Sequence, residues 1–290
     1  MKPEVFTLEF ITPCFAAGAE QGRAELRASE VRGQLRWWLR ALGGSREQES
    51  TVFGAVAGED AGASAVQIRA RVIQPGKAWS PPHVDPMSNS AYIWYFASVS
   101  GKKPGQHGTG PRWTAQGNLP VGTRFEIQLR HLRALPNDSA RFFQDALDTF
   151  LLLGGLGLRV TRGLGAFVCQ ERPASDPALE ACRQRLLPRG FNWVLSHPNL
   201  GKNWESAVNA AGTILRQQLR PAFRAGKNGD KTSPLGSSNP RQTSAVYLRP
   251  LLRPDGAYSL VVFEAPAARV LGPLSRGGTP ATRMLQPRFP

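Results

Sequence analysis

Residues 29–43, SEVRGQLRWWLRALG, constrain the fold more tightly than any other stretch. Val31, Leu35, Trp38, Leu39 and Leu42 recur at helical spacing and form one apolar stripe, which needs a hydrophobic surface such as a sheet face to lie on. Ser29 stands where an N-cap belongs, Glu30 puts a negative charge in the first turn, and Gly43-Gly44 supply the stop. Arg32, Arg36 and Arg40 follow at four-residue intervals on a neighbouring face, and Glu30 is the only acid in the helix. Gly33 costs about 1 kcal/mol relative to Ala in a helix interior, which predicts that another backbone approaches closely there. The arginine row has two readings: the solvated edge of a core helix, or guanidinium groups presented to an anionic polymer. Trp37 lies off the stripe and either stacks on a base or packs on a neighbouring element. Trp38 lies on the stripe and belongs to the core.

The flanking sequence supplies the sheet. Residues 4–11, 65–74 and 123–132 alternate apolar and polar side chains and read as strands. Gln67, Arg69 and Arg71 share the open face of the second. Residues 92–96, YIWYF, read as a short aromatic strand, and residues 138–153 as a helix capped by Asp138 with Phe142, Ala146, Thr149, Phe150 and Leu153 inward. Residues 166–171 read as a closing strand. The order is strand, helix, strand, strand, helix, strand, with a loop inserted around the third strand, as in the split βαβ of a ferredoxin-like or RNA-recognition-motif domain. Residues 172–177, RPASDP, look like a boundary. Beyond it, residues 177–187 and 204–225 read as helices, and 245–252 with 257–264 as a hairpin around Pro254-Asp255-Gly256. Residues 101–117 and 226–242 are Gly-rich, polar and basic, and read as mobile loops.

Charge narrows the partner. Formal net charge is +15, and the 36 basic residues comprise 29 Arg and 7 Lys. A bias to Arg favours forked recognition of phosphates and stacking on bases. No basic amphipathic helix with a broad apolar face argues for a membrane surface, and no apolar run reaches the roughly 18 residues of a membrane span. Cys14, Cys169 and Cys182 have neither zinc-knuckle nor disulfide spacing. The chain opens on a strand-like run without a signal peptide, so a cytoplasmic location is expected.

Gly154, Gly155, Gly157, Gly163 and Gly165 crowd one stretch, with Arg159 and Arg162 between them. This is not a P-loop, because no Gly-Lys-Ser/Thr follows and the stretch leaves a helix instead of entering one. Two readings stand: a helix C-cap followed by a tight turn, or a cradle whose backbone N–H groups approach phosphates between two arginines. An arginine-faced helix, a basic-faced strand, a glycine-arginine loop and the split βαβ order point together at RNA.

The stretch ITPCFAAGAEQGRAELRASEVRGQLRWWLRAL, then Val52-Phe53-Gly54, then GGLGLRVTRGLGAF resembles the RAMP superfamily of CRISPR effector proteins. More narrowly, it resembles the first-numbered subunits of Cmr (type III-B) complexes. The resemblance implies an α+β chain of tandem ferredoxin-like (RRM-like) domains, placed here at residues 1–172, with the glycine-rich loop, and at 173–290. It implies a non-catalytic subunit that contacts the 3′ part of a guide RNA and the paired target RNA beside other RAMP subunits. The RNA-binding candidates are Arg23, Arg27, Arg32, Arg36, Trp37, Arg40, Arg159, Arg162 and Gly163, and no cofactor or metal is expected. Two competing classes remain. One is a metal-independent endoribonuclease on the same fold, for which Asp85 and His107 are the first residues to test; the other is a protein-interaction scaffold. His83, His107, His131 and His197 lie far apart in sequence and none has a ligand at metal spacing.

Overall fold

A computed structural model describes residues 2–20, 23–56, 62–80, 88–94, 117–223, 233–238 and 241–271. Strand β1 (Glu4–Phe10) turns Phe6, Leu8 and Phe10 to one side, and β3 (Arg124–His131) does the same with Phe125, Ile127 and Leu129; all six are buried. With β2 (Val66–Gln74) and β4 (Phe167–Cys169) they form a sheet of order β2-β3-β1-β4, every neighbour antiparallel. Helices α1 (Ala28–Ala41) and α4 (Asn137–Leu153) lie together on its apolar face. The whole stripe Val31, Leu35, Trp38, Leu39 and Leu42 is buried there. Helix α2 (Arg46–Phe53) follows α1 and opens on a capping box between Ser45 and Gln48. The expected first-half order is therefore present, with one change. Residues 91–94 form a single helical turn, α3 (Ala91–Trp94), where a strand was expected. Its aromatic side chains are drawn into a cluster away from the sheet: Trp94 lies 5.6 Å from Trp79 and 6.3 Å from Trp204 between ring centroids. Residues 95–96 and 101–116 lie outside the described residues.

The second half has its own sheet, of order β5-β9-β8. Helix α5 (Asp176–Leu186) is capped by Ser175 and leads to β5 (Asn192–His197), a strand whose short, mixed sequence gave no readable alternation. Helix α6 (Trp204–Thr213) passes through one π-helical turn (Ile214–Leu219) into α7 (Arg220–Phe223). The expected hairpin is β8 (Val246–Leu252) with β9 (Tyr258–Glu264). Of the expected loop 226–242, the described part includes a two-residue ladder of β6 (Ser237–Ser238) with β7 (Arg241–Gln242). A short helix, α8 (Ala267–Val270), ends the described chain. The strands β5, β8 and β9 repeat the relative order of β1, β2 and β3, but no fourth strand joins them among the described residues.

Strands β8 and β9 are buried on both faces. Val246, Leu248, Leu260 and Val262 meet Val208, Ala211, Ile214 and Leu215 of the α6 layer. Tyr247 and Phe263 face α1 instead: Trp37 lies 4.9 Å from Tyr247, and Trp38 lies 5.6 Å from Phe263 and 6.2 Å from Phe191. Of its two readings, Trp37 takes the packing one. Arg249, a buried residue of β8, donates to the carbonyl of Phe167 at 2.7 Å and ties the second sheet to β4.

Three local expectations are corrected. Helix α1 begins before Ser29, because the Arg27 carbonyl already accepts from the N–H groups of Glu30 (3.1 Å) and Val31 (3.4 Å). Helix α4 is capped by no side chain; Pro136 is its N-cap residue, and Asp138 lies inside the first turn. Gly33 is exposed, and a Cβ there meets nothing within 4 Å, so no backbone crosses it among the described residues. Gly33→Ala should therefore raise stability by about 0.5–1 kcal/mol, read as a higher urea midpoint at unchanged slope.

Candidate nucleic-acid interface

The arginine row is built by two helices. Arg36 Nε donates to Glu49 Oε1 at 2.5 Å, and Arg40 Nη1 to both oxygens of Glu49 at 3.1 and 3.3 Å. The missing acid is thus supplied by α2, and its side chain is only 8% exposed, against 35% for Arg36 and 53% for Arg40. One buried carboxylate fixes two guanidinium groups whose outer edges stay in water. Arg36, Arg40, Arg46 and Arg269 line an open cleft of about 720 Å³ with Glu49 at its floor. Arg269 reaches it by donating to the carbonyls of Ala41 (3.0 Å) and Arg189 (2.8 Å), which satisfies the C-terminal end of α1. Arg32 is half-exposed one turn earlier, and neither it nor Arg46 has a carboxylate partner among the described residues. Arg23 and Arg27 are exposed on the approach to α1.

The glycine-rich loop folds back on the strands and loops that flank it. Its amides are spent inside the chain: Leu156 on Gly165, Leu158 on Phe15, Gly163 on Val160, Leu164 on Arg159 and Gly165 on Pro13. The Gly157 N–H goes to the carboxylate of Glu30. These six amides are turned into the chain and are not available to a phosphate. Gly163 has φ +91°, and a Cβ on it would stand 3.3 Å from Pro250 Cδ and 3.4 Å from the Leu248 carbonyl. Among the described residues β8 pairs with β9 alone, so the loop covers its outer edge, where Pro250 offers no N–H. Arg162 is 5% exposed and donates inward, to the Leu235 carbonyl at 3.0 Å and Ser244 Oγ at 3.4 Å. Burial pulls its pKa down to about 10. Arg162 and Gly163 are therefore packing positions, whereas Arg159 stays at the surface, its guanidinium 4.9 Å from the Tyr92 ring centre.

Glu30 links helix and loop. One oxygen accepts from Gly157, and the other is buried without a hydrogen-bond partner among the described residues. Burial raises its pKa above the usual range, against the lowering effects of the Gly157 bond and Arg27. Sequence reasoning placed Glu30 at the helix dipole and missed this contact, which joins residues 127 positions apart.

The open face of the first sheet carries Gln67, Arg69 and Arg71 on β2, beside Arg124, Glu126, Gln128 and Arg130 on β3. Two pairs neutralise each other: Arg71 with Glu126 at 2.7 Å and Arg124 with Glu9 at 2.8 Å. No aromatic side chain of β1–β4 stands on this face, so the base-stacking platform of an RNA-recognition-motif sheet is lacking among the described residues. His131 packs edge-on against Phe143. Asp85 and His107 lie outside the described residues. No helix among the described residues is long and apolar enough to cross a membrane.

The sequence profile of the RAMP superfamily matches residues 7–168, over half of the chain. The chain belongs to the RAMP superfamily. Among curated RAMP proteins, CRISPR system Cmr subunit Cmr1-2 of Pyrococcus furiosus is 28% identical over 194 residues, covering 59% of this chain and 96% of that protein. Subunit Cmr1-1 of the same organism is 29% identical over 154 residues, 49% of this chain and 40% of that one. The apo crystal structure of Cmr1 from Pyrococcus furiosus has the same fold, with TM-score 0.58 at 18% identity over 100% of this chain and 98% of that chain. A chain of the type III-B Cmr-beta complex, solved with cognate target RNA and AMPPnP in the presence of ssDNA, matches with TM-score 0.54 at 10% identity over 92% and 94% of the two chains.

Two outcomes follow from the loop. Gly163→Val should cost about 2–4 kcal/mol of stability, since a β-branched residue resists positive φ and would press on Pro250; a urea titration measures it. Glu30 holds its proton more tightly in the fold than in the unfolded chain. Its contribution is therefore fullest below the ordinary Glu range and is lost as pH rises through the raised pKa. Glu30→Gln should flatten the fall in stability as pH rises above the ordinary Glu range, measured by unfolding at each pH.

Proposed function

We propose that this RAMP protein is a non-catalytic, RNA-binding subunit of a type III-B CRISPR ribonucleoprotein. It contacts the 3′ part of the guide RNA, the paired target RNA, or both, beside other RAMP subunits in the cytoplasm. The observation that carries the reading is the cleft at the end of α1, where four arginines surround one carboxylate. Such a surface attracts a polyanion over any other macromolecule, and its forks suit phosphate oxygens. The relatives in Cmr complexes support the same assignment. The non-catalytic part rests on chemistry: arginine stays protonated at any working pH, so the row holds phosphates but moves no protons. We also take residues 1–172 and 173–290 as two ferredoxin-like units, a division supported by the repeated strand order.

The test uses labelled single-stranded guide RNA with the intact chain, in EDTA and in Mg²⁺. Binding without cleavage is expected under both conditions. Discrete products that vanish in His107→Ala or Asp85→Ala would turn the assignment to the endoribonuclease. For the interface itself, replacing Arg36 and Arg40 together would strand the buried Glu49 and confuse binding with stability. Arg32→Gln with Arg46→Gln avoids this. The double variant should keep its unfolding midpoint and lower the magnitude of the salt slope by about 1.4, at ~0.7 per phosphate contact. An unchanged slope would make the row a solvated edge.

A further inference from the structure

The C-terminal end of α1 opens on the arginine cleft, and a helix end of this kind is a poor place for an anion. Its last carbonyls together carry about half a negative charge. Three of the four are closed by the turn that follows. The N–H groups of Leu42, Gly43 and Gly44 donate to the carbonyls of Trp38, Arg40 and Leu39, each at 2.9 Å, with Gly43 at φ +97°. The fourth carbonyl, that of Ala41, accepts from Arg269 Nη1 at 3.0 Å. That arginine belongs to α8, 228 residues further along the chain.

Arg269 is held in place as well as delivered there. The same Nη1 donates to the Arg189 carbonyl at 2.8 Å. A Cβ on Gly43 would stand 3.4 Å from both Cζ and Nη1 of Arg269, so the guanidinium lies against bare glycine backbone. Val270, the next residue, packs on the main core. Helix α8 follows directly on β9, where the Ala265 N–H donates to the Ala245 carbonyl at 2.9 Å. Both bonds of the guanidinium use Nη1. Its Nε and Nη2 have no hydrogen-bond partner among the described residues, and the exposed side chain lines the cleft with Arg36, Arg40 and Arg46.

We propose that Arg269 couples the docking of α8 to the binding of RNA in the cleft. With α8 seated, the end of α1 is neutralised and one more guanidinium edge faces an RNA phosphate. With α8 away, the cleft ends in an uncapped carbonyl and loses a positive charge. The inference rests on the RNA-binding reading and deepens it: the cleft built by α1 and α2 is complete only when the second half of the chain closes on it. A charge at a helix end and one charge-assisted hydrogen bond together amount to about a tenfold change in affinity. Linkage is reciprocal, so the affinity that seated α8 lends to the RNA is returned by the RNA as firmer docking of α8.

Labelled single-stranded RNA is titrated against the parent chain, Arg269→Gln and Arg269→Lys over a salt series, with unfolding midpoints measured alongside. Amide hydrogen exchange is followed with and without saturating RNA at Arg269, Val270 and Leu271, whose N–H groups donate to the Pro266 and Ala267 carbonyls within α8. Arg269→Gln should bind about tenfold more weakly, with a salt slope smaller in magnitude by about 0.7. Arg269→Lys keeps the charge but not the fork, so it should keep the parent slope and bind with intermediate affinity. RNA should slow exchange at the three amides by up to about tenfold in the parent and leave it unchanged in Arg269→Gln. If the parent binds no RNA, the RNA reading falls and the coupling falls with it. If the parent binds RNA but Arg269→Gln matches it in affinity and slope, or RNA leaves α8 exchange in the parent unchanged, the coupling is wrong while the RNA reading survives. If Arg269→Gln binds weakly with the parent slope and a lowered unfolding midpoint, Arg269 is only a structural brace and the coupling is likewise overturned.

Discussion

Two consecutive tryptophans on one helix hold this molecule together. Neighbouring residues on a helix point about 100° apart, so a helix that buries both must have hydrophobic surface on two sides. Helix α1 meets this condition by lying between two sheets. Leu35, Trp38 and Leu39 face the first, while Trp37 and the far edge of Trp38 meet Tyr247, Phe191 and Phe263 of the second half. Large aromatic side chains bury about 150–250 Å² each and dominate the energetics of the surfaces they pack on. The remaining sides of α1 are then set. One end anchors the glycine-rich loop through Glu30, and the exposed side presents arginines steadied by Glu49.

Much of the fold was legible because local periodicity wrote it. The alternation in β1, β2 and β3, the stripe of α1 and the β8–β9 hairpin are each dictated by residues close in sequence. What escaped was decided at a distance. The 92–96 run has strand composition, yet its described part, residues 92–94, lies in a helical turn whose Trp94 packs with Trp79 and Trp204. β5 is too short to show a period and exists because β9 pairs with it. At the candidate site, the arginine row could be read from i, i+4 spacing, but its acid could not, because Glu49 belongs to another helix. The glycines were rightly read as marking close approach and positive φ. What approaches them is the Glu30 carboxylate and the edge of β8, and no sequence pattern distinguishes those from a phosphate.

The basic charge is spent in two different ways. Arg162 and Arg249 are buried and hydrogen-bonded to backbone carbonyls, where a guanidinium serves as a multi-point brace between elements. Arg32, Arg46 and Arg220 stay at the surface without carboxylate partners among the described residues. Net charge alone cannot tell these roles apart, so a count of arginines overstates the surface available to a polyanion.

The covered edge of β8 has a consequence for how copies of this chain meet. An open strand edge is a template onto which any extended segment can add, and a chain crowded among similar subunits is exposed to mispairing of that kind. Here Pro250 removes a donor from the edge, and Gly163 lets the loop settle against it. The second sheet is thereby closed to ribbon-like growth on that side.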